Sequence, residues 1–146
     1  MRIPDSLRPF SKPTMIVATD NVQATLYLAD GEDVNKVMHL SAKADEMPRE
    51  RSAVGRGSGD AGSAEPEDDR LDWSRERLYE ELNTQLMRRL QDGEFEELAF
   101  TVPHDVIEEL KESLHIDLLK RAVAFVPKNL MKEDLLDLVT HVQEEM

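Results

Sequence analysis

The sequence predicts an α/β fold, one mixed sheet with helices packed across it, in the element order βββ, long loop, αβαβα. Three observations carry this expectation. Short apolar, β-branched runs lie close together before residue 41, a leucine stripe at helical spacing follows a Gly-rich stretch, and two further apolar runs alternate with helical patterns.

Thr14-Met15-Ile16-Val17-Ala18-Thr19 is a β-branched apolar run, and Asp20-Asn21 behind it is turn chemistry. Val22 to Leu28 partly alternates and ends at Asp30-Gly31, after which Val34 to Leu40 offers a third extended segment. The connections are too short for parallel crossovers, so these three strands are expected to be antiparallel neighbours.

From Ala42 to Asp72 the composition changes, with Gly55, Gly57, Gly59 and Gly62 within eight residues among Ser, Asp, Glu and Arg. Such a stretch cannot bury a core and is expected to be mobile or disordered; loops of this length inside small domains are either functional or unstructured linkers. Asp72 is expected to cap a helix with Leu78, Leu82, Leu86 and Leu90 on one face, Trp73 and Tyr79 alongside, and Gly93 as its stop.

Phe95 to Val102 reads as a buried strand, and Pro103 then opens a helix with Val106, Ile107, Leu110 and Leu114 on one face. Residues 115–120 suit a short helical turn. Arg121 to Leu130 is expected as a fifth strand, with Pro127 requiring it to lie at an edge or end there. A last helix over 132–145 buries Leu135, Leu138, Val139 and Val142. Residues 1–13 read as an N-terminal extension and 14–146 as a single domain whose mobile Gly-rich loop spans about 42–71.

The chain has 146 residues, no cysteine, and 18 Lys+Arg against 31 Asp+Glu, a net charge of −13. Disulfides, Cys-ligated zinc or iron–sulfur sites and a thiol nucleophile are thereby excluded. No apolar run approaches the roughly 20 residues of a membrane span, and Met1 to Pro9 lacks the apolar core of a secretory signal, so a cytoplasmic protein with no membrane partner is expected. The acid is concentrated at the end of the chain: −9 falls on residues 91–146 and +1 on 73–90. A polyanion repels nucleic acid at long range, so any RNA contact has to be local. The basic cluster available is Arg49, Arg51 and Arg56, followed by Arg75 and Arg77 at the helix start.

The motifs that could carry chemistry are weak. Gly57-Ser58-Gly59-Asp60-Ala61-Gly62 fits G-x-G-x-x-G, yet no strand runs into it and no helix starts directly after it. His39, His104, His115 and His141 form no metal-binding spacing, and His104 with Glu108 supplies only two ligands, so no metal and no cofactor are expected. The acid pairs Glu96-Glu97 and Glu108-Glu109-Glu112 read as solvated faces. Asp20 is placed where a nuclease-like carboxylate could sit, although a turn-forming role is commoner. Ser52, Ser58, Ser63 and Ser74 lie in no nucleophile elbow. Trp73 and Tyr79 could stack on bases but read more simply as packing residues.

Asp72-Trp73-Ser74-Arg75-Glu76-Arg77-Leu78, then Gly93-Glu94-Phe95-Glu96-Glu97-Leu98, Leu114-His115 and Lys128-Asn129-Leu130, resemble the bacterial family known as "protein required for attachment to host cells". The likeness runs from about Thr14 to the C-terminus. Ser74, Ile116, Asn129 and Met131 stand where that family carries His, Pro, Asp and Thr. The family in turn looks like the middle domain of archaeal and eukaryotic class-1 peptide-chain release factors. That resemblance implies a ribonuclease-H-like mixed sheet and a mobile loop, bearing Gly-Gly-Gln, before the long helix. There the Gln positions water at the peptidyl-tRNA ester. Here the glutamines are Gln23, Gln85, Gln91 and Gln143, none of them in the loop.

Three readings follow. The first is a non-catalytic binding module acting on the ribosome or tRNA through Arg49, Arg51, Arg56, Gly57 and Gly59 of the loop and Arg75 at the helix start. The second is a protein-interaction or regulatory domain without a nucleic-acid partner. The third, ranked last, is a carboxylate- or metal-dependent hydrolase or nuclease using Asp20.

Overall fold

The computed structural model describes residues 1–42 and 66–146. Five strands form one sheet: β1 (Phe10–Thr19), β2 (Gln23–Gly31), β3 (Asp33–Ser41), β4 (Glu97–Thr101) and β5 (Ala122–Val126), in the spatial order β3-β2-β1-β4-β5. β1–β2 and β2–β3 are antiparallel, as the short connections require, whereas β4 joins β1 and β5 joins β4 in parallel. Among the described residues the helices are α1 (Pro66–Gln91), α2 (Ile107–Ser113) behind a 3-10 turn at His104–Val106, α3 (Ile116–Leu119) and α4 (Leu135–Glu145). The fold is α/β with a mixed sheet. β5 lies at the edge, and Pro127, just beyond its last residue, needs no ladder partner.

Both faces of β1 are buried, which explains its uninterrupted apolar run. Met15 and Val17 face a core built with Leu78, Leu82 and Leu86 of α1, together with Leu98, Phe100, Leu110 and Leu118. Ile16 and Ala18 face a second core with Ala99, Ala124 and Val126, closed by Leu138, Val139 and Val142 of α4. The i, i+4 leucine stripe therefore settles α1 on one face of the sheet, and α4 covers the other. Gly93 ends α1 as expected. Its φ of 74° allows the Gly93 N–H to reach the Leu90 carbonyl and the Glu94 N–H to reach that of Arg89, a Schellman closure.

Several boundaries differ from the sequence expectation: β5 is confined to Ala122–Val126, ending before Pro127, the last helix starts at Leu135, and the starts of α1 and β1 move furthest. α1 begins at Pro66, so Asp72 lies in its second turn and does not cap it. Proline is favoured at the first helical position, and that local signal extends the helix into the polar stretch. β1 begins at Phe10, four residues early, because the β1–β2 register breaks between Phe10 and Thr14 and Pro13 sits in that irregularity.

Residues 1–13, expected as an extension, also pack on the domain. Ile3 and Phe10 are buried in the second core, Ile3 N–H donates to the Glu32 carbonyl at 2.7 Å, and the Gln143 side chain on α4 donates to the Arg8 carbonyl at 2.7 Å. Two isolated apolar side chains are too sparse a pattern to reveal this from sequence. The expected mobility of the Gly-rich stretch falls, for residues 43–65, outside the described residues. No helix among the described residues is long and apolar enough to cross a membrane.

Candidate functional site at the loop-bearing end of the sheet

β1, β4 and β5 point their carboxyl ends the same way, the end of an α/β sheet where crevices for ligands form. The β1–β2 turn, the end of β3 and the start of α1 share that end. Asp20 closes the turn: its Oδ1 accepts from the Val22 and Gln23 N–H groups, each at 2.8 Å, while the Thr19 hydroxyl donates to the Gln23 carbonyl at 2.9 Å. Asp20 thus acts as a turn former, and no group of three or more His, Asp or Glu converges as a metal site among the described residues. The Ala42 N–H donates to the Val22 carbonyl at 2.8 Å and fixes the chain just beyond the end of β3.

Arg75 is the hub of this end. Its Nε donates to Glu109 on α2 and one terminal nitrogen to Asp72, both at 2.7 Å, while the other terminal nitrogen reaches the Asn21 Oδ1 at 3.4 Å. The side chain is only 14% exposed. Burial by itself would lower the guanidinium pKa, but the hydrogen bonds and negative charge of Glu109 and Asp72 outweigh it and hold the pKa above its ordinary value. One arginine therefore ties α1, α2 and the β1–β2 turn together.

Replacing Arg75 by Met is expected to cost about 1–2 kcal/mol in urea unfolding, a modest value because its carboxylate partners are half-exposed and can rehydrate. Glu109→Gln added to that variant should cost little more, since the two changes remove the same contact; full additivity would refute the coupling.

Arg77 faces Glu81 at 3.2 Å and Glu80 at 3.7 Å. It lines, with His39, Ser41, Ala42, Leu78 and Glu81, a cleft of about 300 Å³ between the end of β3 and α1. The two described arginines at this end are thus both held by carboxylates. Ser74, where the sequence resemblance expects His, is fully buried with no partner for its hydroxyl. Tyr79, also buried, has an unpartnered hydroxyl, and its pKa is pushed well up by burial and then by the charge of Glu109, with Arg75 opposing.

The histidines stay apart. His39 contacts the Thr25 hydroxyl at 2.9 Å, His104 lies beside Asp105 and His141 beside Glu144, and His115 caps α3 by accepting from the Asp117 N–H at 3.1 Å. Of the residues expected to bind, Arg75 is placed as described, whereas Arg49, Arg51, Arg56, Gly57 and Gly59 lie outside the described residues.

Asn83 has a structural role that sequence reasoning missed. Its amide nitrogen donates to the Tyr79 and Ser113 carbonyls, each at 2.9 Å, and its oxygen accepts from the His115 N–H at 2.8 Å. The available signal was an Asn in a helix interior, where this residue is disfavoured without a partner.

Comparison with known proteins adds the following. The model of a family described as bacterial archaeo-eukaryotic release factor family 12 matches residues 13–142. No curated protein matches. Among solved structures, the chain is similar to an archaeal translation termination factor, aRF1, at 17% identity and TM-score 0.49, covering 90% of this chain and 37% of that one. It is also similar to an archaeal protein, at 15% identity and TM-score 0.48, covering 90% and 36%. A third is S. cerevisiae Dom34, described as a translation termination-like factor involved in RNA quality control pathways and interacting with Hbs1, at 9% identity and TM-score 0.47, covering 90% and 35%. The chain spans little more than a third of the length of these proteins.

Proposed function

The chain belongs to the bacterial archaeo-eukaryotic release factor family 12, and from that premise we propose a non-catalytic binding module that acts on the ribosome or tRNA through the segment between Ala42 and Pro66. The observation that carries the reading is where charge is committed at the loop-bearing end. Arg75 and Arg77 are held by Asp72, Glu80, Glu81 and Glu109. Positive charge for a phosphate contact then has to come from the intervening segment, where the sequence supplies Arg49, Arg51 and Arg56. Gly57 and Gly59 beside them let a backbone approach a phosphate without a side chain in the way. Arg75 acts in this reading by holding the helix start in place. The segment has no Gln, so ester hydrolysis in the manner of release factors is not part of the proposal.

Kinship with the host-attachment proteins belongs to the same proposal. Asp72, Gly93, Phe95 and Leu114 of the shared motif hold Arg75, close α1 or fill the first core. Motif positions of this kind speak for a common fold and are silent about a partner.

Sedimentation of the purified protein with ribosomes across a salt series tests the reading. Wild type is expected to co-sediment at low salt and to be released as salt rises. Arg49→Ala, Arg51→Ala and Arg56→Ala together should abolish most binding and flatten the salt dependence by about 2–3 units of log K per log salt. Absence of co-sedimentation at the lowest salt overturns it. The acidic balance, −9 over residues 91–146, favours the second reading in that event, a domain whose partner is a protein; retention of that partner after nuclease treatment is its signature.

A further inference from the structure

The two edges of the sheet are finished differently. Beside β3 the chain's own first residues act as a partial extra strand: the Val34 N–H donates to the Met1 carbonyl and the Ile3 N–H to the Glu32 carbonyl, each at 2.7 Å. Among the described residues no strand or bridge lies on the outer side of β5. Its inner side serves β4, where the Arg121 and Val126 carbonyls accept from the Leu98 and Val102 N–H groups. Alternate residues of such a strand turn their backbone groups the other way, so the outer side of β5 is a row of donors and acceptors without a ladder.

Two further features give this edge a chemistry. Ala122-Val123-Ala124-Phe125-Val126 has only apolar side chains, and the register shift against Leu98 and Ala99 leaves Val123 as an extra residue, 38% exposed. Charge then brackets the strand. Residues 91–146 hold 14 acids and five bases, and the five are Lys111, Lys120, Arg121, Lys128 and Lys132. Lys111 is engaged with the Phe125 ring and with Glu108 at 3.6 Å. Lys120, Arg121, Lys128 and Lys132 are exposed, and among the described residues none of them pairs with a carboxylate. Lys120 and Arg121 precede β5 and Lys128 follows it, with about 16 Å of strand between them.

We propose that β5 accepts an extended segment of a partner protein as a sixth strand, and that this segment carries acidic residues at both ends of a short apolar run. Backbone pairing supplies the attachment, and the flanking cations select the partner. A second copy of this chain does not fit, because two β5 strands side by side would bring like charges together. An RNA would use the cations but leave the backbone row and Val123 without partners. The proposal rests on the edge of the sheet and does not depend on the loop and its arginines.

The test is selection of random dodecapeptides displayed on phage against the full chain, followed by fluorescence anisotropy of the enriched peptides. Enrichment of Asp or Glu on both sides of a short apolar run is expected. Lys120→Glu with Lys128→Glu should weaken binding about tenfold, and Lys120→Gln with Lys128→Gln about threefold at an unchanged thermal midpoint, while the triple arginine variant binds as wild type. N-methylation of alternate amides in the selected peptide separates strand addition from charge attraction: one alternating set should abolish binding and the other leave it intact. Equal tolerance of both sets, no enrichment of acidic residues, or affinity unchanged by charge reversal overturns the proposal. Oligouridylate that displaces the peptide and binds more tightly than any selected sequence assigns the cations to phosphate and also overturns it. A wild-type dimer whose β5 amides are protected from hydrogen exchange without peptide does the same in favour of a second copy.

Discussion

Phe100→Ala is expected to remove about 3–5 kcal/mol of stability, a large share of the roughly 5–15 kcal/mol that holds a domain of this size. Phe100 is fully buried in β4, between β1 and β5, and its ring stacks on Phe125 with centroids 5.1 Å apart and planes 7° from parallel. Lys111 on α2 lies over the Phe125 ring at 4.9 Å, so the pair also connects the sheet to the helix above it. Truncation loses the buried area, the stacking and the support for Phe125, and leaves a cavity that neighbouring strands cannot close. Urea unfolding should show a lower midpoint at unchanged slope, and Phe100→Leu should retain more than half of the lost stability. A loss below about 1 kcal/mol for the alanine variant would show that the core collapses around the site.

A second large effect lies at alkaline pH and belongs to Tyr79. Burial first, and the charge of Glu109 second, push its pKa well above the ordinary value of 10.0, with Arg75 only partly opposing them. The folded state keeps the phenolic proton where the unfolded chain loses it. The stability this provides is complete below pH 10 and declines as pH rises from there through the folded pKa, by up to about 1.4 kcal/mol per pH unit. Tyr27 is raised by burial as well, so wild type carries two such groups. Stability measured by urea unfolding between about pH 9 and 11 should fall more steeply for wild type than for Tyr79→Phe. Titration of the lysines is common to both chains and cancels in the difference. Parallel curves would mean that the hydroxyl is accessible and ionises in the folded protein.

What the sequence made legible was local. Leu78, Leu82 and Leu86 repeat at helical spacing and land in the first core, and the unbroken run from Met15 to Ala18 implies a strand buried on both faces. Pro127 required β5 to lie at an edge or to end there, and it does both, while Gly93 marked the end of α1. The start of α1 was readable from Pro66 and the acids behind it, but the Gly-rich composition around them masked the signal.

What escaped was pairing at a distance. Arg75 meets Glu109 across 34 residues, and Asn83 meets Ser113 and His115 across 30 and 32. Nothing in local periodicity says which of several carboxylates an arginine will find. Arg75 could therefore be singled out as cationic, while its commitment to three partners needed the folded chain.

The parallel pairing of β1 with β4 has a consequence for the route by which this sheet assembles. β1 finds β2 across a tight turn, yet its other neighbour aligns Thr14 with Glu97, about 80 residues away. The entropy of closing so long a loop is incurred before the contacts formed there can offset it. The three-stranded meander can therefore form early, but it exposes the open flank of β1, with its apolar run from Met15 to Ala18, until α1 and β4 arrive. During synthesis the amino-terminal strands emerge first and wait for that carboxyl-terminal half. The vulnerable moment of this protein is thus its birth, and chaperone demand should track how long β1 waits for β4.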